Sequence, residues 1–114
     1  MREILQQLLC VKLDIEMAVF KRNILQLDKE KIYEKAYEID SMINLYELLS
    51  DRSQEVEEET LKKMLLFPNL LTFFYERWLK MEDGIMEDYR ECIKDGMQEI
   101  SRIYSKTELE VRTE

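Results

Sequence analysis

Histidine is absent from this 114-residue chain, and with it every mechanism that needs an imidazole. No Cys–His nucleophile can be assembled, and the Glu-x-x-His ligand set of di-metal helical bundles is missing. Glycine occurs twice and proline once, too few for the turns that a sandwich or barrel needs every ten residues or so. Gly84 and Gly96 stand twelve residues apart, so no glycine-rich loop can cradle a phosphate. A long hydrophobic run is lacking too. The most apolar stretch, Met64 to Phe74, is interrupted by Pro68, Asn69 and Thr72 and is too short to span a bilayer. The opening residues Met1-Arg2-Glu3-Ile4-Leu5-Gln6-Gln7 put an acid and two glutamines where a secretory signal needs apolar side chains. Only two cysteines occur, Cys10 and Cys92, both among apolar residues at helical spacing, and they read as reduced core thiols. The expectation is a cytoplasmic protein.

What remains is 46% apolar and 37% charged, too apolar for a disordered chain. The size is that of one domain. Seventeen Lys and Arg against twenty-five Asp and Glu leave a net charge of −8, of which −2 falls in residues 1–52 and −6 in residues 53–114. An acidic surface opposes binding to nucleic-acid phosphates and to anionic membranes. It keeps the chain soluble, and it suits a basic protein partner.

The apolar periodicity is helical throughout. Ile4, Leu8, Val11, Ile15 and Ala18 follow a 4-3-4-3 spacing, and Leu9, Leu13, Met17, Phe20, Ile24 and Leu27 trace a second stripe. Together they predict a long first helix over residues 3–25 that is apolar around much of its circumference. Such a helix is either covered by the other helices or shared with a second copy of the chain in a homodimer, and the spacing alone leaves both open. Asp28 is a good N-cap for a second helix reaching Ser50, with Ile32, Ala36, Ile39, Ile43 and Tyr46 on one stripe and Tyr33, Tyr37, Met42, Leu45 and Leu49 beside it. Ser53 is expected to cap a third helix, whose first turn gathers Glu55, Glu57, Glu58 and Glu59 at the positive end of the helix dipole. Pro68 closes that helix and opens the next, residues 69–82, with Leu70, Phe74, Trp78 and Met81 on one face. Asp83-Gly84 breaks the chain again. A last helix from residue 85 carries Met86, Tyr89, Ile93, Ile100 and Tyr104 inward and is expected to run through Gly96. The prediction is an all-α bundle of four to five helices joined by short turns. It forms a single domain over residues 1–105, with a frayed tail over 106–114.

No catalytic residue, metal ligand or cofactor site is indicated. Carboxylate pairs such as Glu34 with Glu38, or Glu55 with Glu58, sit at helical spacings that solvated faces routinely show. Two surface features point to binding instead. Phe67, Phe73, Phe74, Tyr75 and Trp78 place five of the chain's aromatics within twelve residues. Phe74 and Trp78 fall on the buried face and Phe73 and Tyr75 to either side, so Phe73, Tyr75 and Trp78 are candidate interface anchors. Asp83, Glu87, Glu91, Asp95 and Glu99 recur every four residues, an acidic row that Arg90, Lys94 and Arg102 partly neutralise at i+3. Such a row can imitate nucleic-acid phosphates. A helix-turn-helix reader is disfavoured, because residues 69–82 offer only Arg77 and Lys80 against Glu76 and Glu82.

The runs Leu9-Cys10-Val11-Lys12, Tyr33-Glu34-Lys35-Ala36-Tyr37-Glu38, Phe67-Pro68-Asn69-Leu70-Leu71, Tyr75-Glu76-Arg77-Trp78-Leu79 and Met86-Glu87-Asp88-Tyr89-Arg90-Glu91-Cys92-Ile93 resemble a family of small helical proteins of unknown function from gut Firmicutes. The resemblance spans roughly residues 5–95. The chain departs from it at Asn69, in the Glu-dense third helix and after Asp95. The family carries no activity or site residue to transfer, but its association with mobile elements implies an accessory role. The function expected from residues and resemblance together is a non-catalytic protein-binding module. Its sharpest form is an acidic anti-CRISPR or anti-restriction inhibitor of a basic nucleic-acid-handling protein. The alternatives are a structural or self-associating helical protein and, behind it, a DNA-binding regulator.

Overall fold

A computed structural model of the chain describes residues 1–80 and 89–112. These described residues form six helices: α1 (Arg2–Leu25), α2 (Lys29–Glu34), α3 (Ala36–Arg52), α4 (Glu58–Leu66), α5 (Leu70–Lys80) and α6 (Tyr89–Arg112). There is no strand among the described residues. The all-helical expectation holds, with more helices than the four to five expected.

The extra helix comes from a break at Lys35. Asp28 caps as expected, its carboxylate accepting the Lys31 amide at 2.9 Å, but the helix it starts ends after six residues. Lys35 takes φ −94°, ψ 12°, and its amide is shared between the carbonyls of Lys31 and Ile32, both at 3.1 Å. No glycine or proline marks the site. The turn separates two apolar sets that a straight helix would merge. Ile32, Ile39 and Ile43 line a groove against the C-terminal half of α1, whereas Met42, Leu45 and Leu49 enter the main core. Ile32, Ile39 and Ile43 of the first stripe are therefore groove wall rather than core, and Ile43 remains 40% exposed.

The α3–α4 junction also differs. Ser53 is not an N-cap. It closes α3, its amide reaching the Leu49 carbonyl at 3.0 Å and its hydroxyl donating to the Ser50 carbonyl at 2.7 Å. α4 begins five residues later, so Glu58 and Glu59 occupy its first turn. The loop carbonyls between the helices need donors, and α1 supplies them. Gln6 Nε2 donates to the Ser53 and Gln54 carbonyls, each at 3.1 Å, Arg2 Nε donates to the Val56 carbonyl at 3.0 Å, and the Arg2 guanidinium also reaches the Gln54 carbonyl.

The core is one continuous cluster. Leu9 and Leu13 from α1, Leu45 and Leu49 from α3, Leu61 and Met64 from α4, Leu70, Leu71 and Phe74 from α5, and Ile93 and Ile100 from α6 are all essentially inaccessible to solvent. α1 packs on one side of α3, α4 and α5, and α6 packs against the same three helices. α1 is thus peripheral, with one face in the core and the other open. α6 passes straight through Gly96 and stays helical to Arg112, beyond the last apolar periodicity.

A polar residue of α1 organises α5. Pro68 holds the chain out of helix just before α5, and Asn69 leads into the helix with φ +52°, a left-handed conformation that asparagine tolerates better than most residues. Across the interface Glu16 Oε1 accepts the Leu71 amide at 2.8 Å, and Lys12 Nζ lies 3.3 Å from Oε2. A carboxylate from one helix therefore caps the N-terminus of another, where the dipole favours negative charge. Glu16→Ala is expected to cost about 1–2 kcal/mol, as loss of a helix cap does. Glu16→Gln, which keeps an acceptor, should cost less than half of that. Urea unfolding of the two variants checks the order.

Candidate functional site

The aromatic cluster is largely a packing device. Phe67 meets Phe73 edge-on with centroids 4.7 Å apart, and Phe73 meets Phe74 in the same way at 5.2 Å. Phe67 also reaches Tyr104 at 6.4 Å, and the Arg77 guanidinium lies 5.9 Å from the Phe73 centroid. Phe73 and Tyr75 are both half-buried and pack against the core. Trp78 stacks on Tyr89 with centroids 4.1 Å apart, and its indole N–H donates to the Tyr37 hydroxyl at 2.7 Å. Tyr89 in turn shares a hydrogen bond of 3.1 Å with buried Ser41. Tyr37, Trp78, Tyr89 and Ser41 thus tie α3, α5 and α6 together, a polar–aromatic joint that sequence spacing alone does not show.

The acidic row is divided. Asp83 and Glu87 lie outside the described residues. Glu91 is exposed, Asp95 pairs with Arg77 across the α5–α6 interface, and Glu99 pairs with Arg102 one turn on. The Arg102 hydrogen bond holds the Glu99 carboxyl below its usual range. Asp95 and Glu99 therefore already have cationic partners, which lowers the potential the row can offer a basic protein.

The two thiols differ. Cys92 is buried, donates weakly to the Phe74 carbonyl at 3.4 Å, and burial pushes its pKa up to about 11. So little thiolate exists near neutral pH that it is unsuited to nucleophilic chemistry. Cys10 is half-buried beside Ser53, 3.7 Å from its hydroxyl. Among the described residues no three Cys, Asp or Glu side chains converge where an ion could be held. No helix there is long and apolar enough to cross a membrane.

The largest unexplained feature is the outer face of α1. Leu9, Leu13 and Ile24 point into the protein, while Ile4, Leu8, Val11, Ile15 and Val19 are each 49–58% exposed. At 100° per residue the exposed set centres about 150° around the helix from the buried one. Leu25, 65% exposed, continues the row to the helix end. There it meets an apolar groove of about 430 Å³ whose walls include Met17, Phe20, Ile24 and Ile39. The 4-3-4-3 stripe is visible in the sequence; that it faces outward follows only from the packing of Leu9 and Leu13.

Comparison of the chain with known protein families, with curated proteins and with solved structures gives no match.

Proposed function

We propose that this chain is a non-catalytic protein-binding module whose working surface is the outward apolar row of α1. One observation carries the reading: a row of five large aliphatic side chains, each about half exposed, lies opposite a fully buried face of the same helix. Isolated surface leucines need no explanation, but a contiguous apolar stripe flanked by polar residues is the usual mark of an interaction site. The arrangement is also stable without a partner, because Leu9 and Leu13 already anchor the helix. The row is therefore available for a second contact.

A second reading, an acidic inhibitor of a basic nucleic-acid-handling protein carried by a mobile element, draws support from the net charge of −8 and exposed Glu91. The two readings assign the contact to different helices. A photo-crosslinking amino acid at Val11, with exposed Asp51 on α3 as control, should give protein adducts in cells from position 11 alone. Absence of adducts from position 11 overturns the first reading. Partner capture that is lost on charge reversal at Glu87 and Glu91, and unaffected at Val11, would establish the second.

A further inference from the structure

We propose that the row on α1 is a self-complementary seam on which a second copy of this chain docks antiparallel, α1 against α1. The proposal rests on the protein-binding reading and names its partner.

The area is sufficient. Ile4, Leu8, Val11, Ile15, Val19 and Leu25 are 49–65% exposed, together about 600 Å² of apolar surface, the upper end of what a monomer shows as its largest patch. With Ala18, Arg22 and the polar margins the face reaches the roughly 800 Å² per partner that a stable interface buries. The spacing is that of a two-helix seam. Positions 4, 8, 11, 15, 18, 22 and 25 alternate steps of four and three along the helix, the 3.5-residue period at which two helices keep their seams in register. A two-fold contact uses the same patch on both copies, and a straight row of this kind satisfies that requirement.

Charge selects the direction. Arg22 lies within the row, so parallel pairing would oppose two guanidiniums in an apolar seam. Antiparallel pairing with Ile15 over Ala18 of the partner subunit matches a large residue with a small one. It also sets Leu8 against Leu25 of the partner subunit, and Val11 against the aliphatic stem of Arg22 of the partner subunit. On the flank, Asp14 comes beside Lys21 of the partner subunit, and the pair occurs twice. Sliding the register by one heptad would instead oppose the two Asp14 carboxylates. Within one copy, neither Lys21 nor Arg22 has an ion pair among the described residues, while Asp14 accepts a hydrogen bond from the Tyr46 hydroxyl that fixes its position. The cation is free and the anion is held in place, as a charge pair between copies requires.

Sedimentation equilibrium of the purified full chain tests this. The wild type should be a dimer. Ile15→Glu should raise the dissociation constant at least about thirtyfold, as loss of a central anchor does, with an unchanged circular dichroism spectrum; Val11→Lys is the second variant should the first misfold. Asp14→Lys and Lys21→Asp should each weaken the dimer, and the double variant should restore it. A wild-type monomer at every concentration overturns the proposal, and so does a dimer indifferent to Ile15→Glu. Failure of the double variant to restore association overturns the antiparallel register. Adducts from position 11 to a different protein in cells, with none between copies, would leave the protein-binding reading standing while removing the second copy. No adduct from position 11 at all removes both.

Discussion

Gly96→Ala is expected to destabilise the fold by about 2 kcal/mol and to lower the thermal midpoint by about 10 °C. On an exposed helix the same change would stabilise by about 1 kcal/mol, since alanine is the better helix former. The sign reverses because a Cβ at position 96 would lie 2.3 Å from Phe74 Cε1 and 2.8 Å from Phe74 Cδ1, with Phe73 Cε2 at 3.3 Å. Phe74 is fully buried and held edge-on by Phe73, so its ring cannot swing clear. α5 and α6 must separate, or the ring must leave its rotamer. Phe74→Leu removes the obstructing ring edge at its own cost in packing. In the double variant the two losses should fail to add, with Gly96→Ala costing less by about 1 kcal/mol or more in the Phe74→Leu background. Full additivity would show that the glycine serves some other purpose than close approach.

This contact illustrates what can and cannot be read from the chain alone. A glycine within an apolar helical period leaves two choices, a break or a close crossing, and α6 takes the second. The class of fold, the Asp28 cap and the long first helix follow from local rules that tertiary structure does not override here. The break at Lys35 follows from no local rule. It exists because Ile32, Ile39 and Ile43 serve the α1 groove while Met42, Leu45 and Leu49 serve the core, and one straight helix cannot aim both sets. Ser53 is an equally good candidate for either end of a helix. Its hydroxyl turns back to Ser50, and Gln6 and Arg2, some fifty residues away in the chain, satisfy the loop carbonyls.

The candidate site shows the same division. Phe73, Tyr75 and Trp78 are legible as aromatics flanking a buried face, but Phe73 and Trp78 are not legible as members of stacked and hydrogen-bonded pairs with Phe67, Tyr89 and Tyr37. The acidic row is legible as a spacing, whereas the Asp95–Arg77 pair requires knowing that α5 crosses α6 at Gly96. Both stripes of α1 are legible. Which one the molecule keeps for itself is not, because periodicity gives an angle around the helix and never a direction in space.

That choice yields the largest contrast expected of any two neighbouring positions. Leu13→Ala should cost about 3–4 kcal/mol, the usual penalty for truncating a fully buried leucine and leaving a cavity. Ile15→Ala, two residues along the same helix, should change the stability of the isolated chain by no more than about 0.5 kcal/mol. Its side chain is 58% exposed, and alanine's higher helix propensity offsets the small loss of contact. Chemical unfolding at sub-micromolar chain concentration separates the two effects from self-association. Raising the concentration then acts on Ile15 alone. Mass action stabilises a dimerising wild type as the chain becomes more concentrated, so its midpoint should climb, while that of Ile15→Ala should climb less. A comparable loss at both positions in the dilute protein would mean that both faces of α1 are built into the fold.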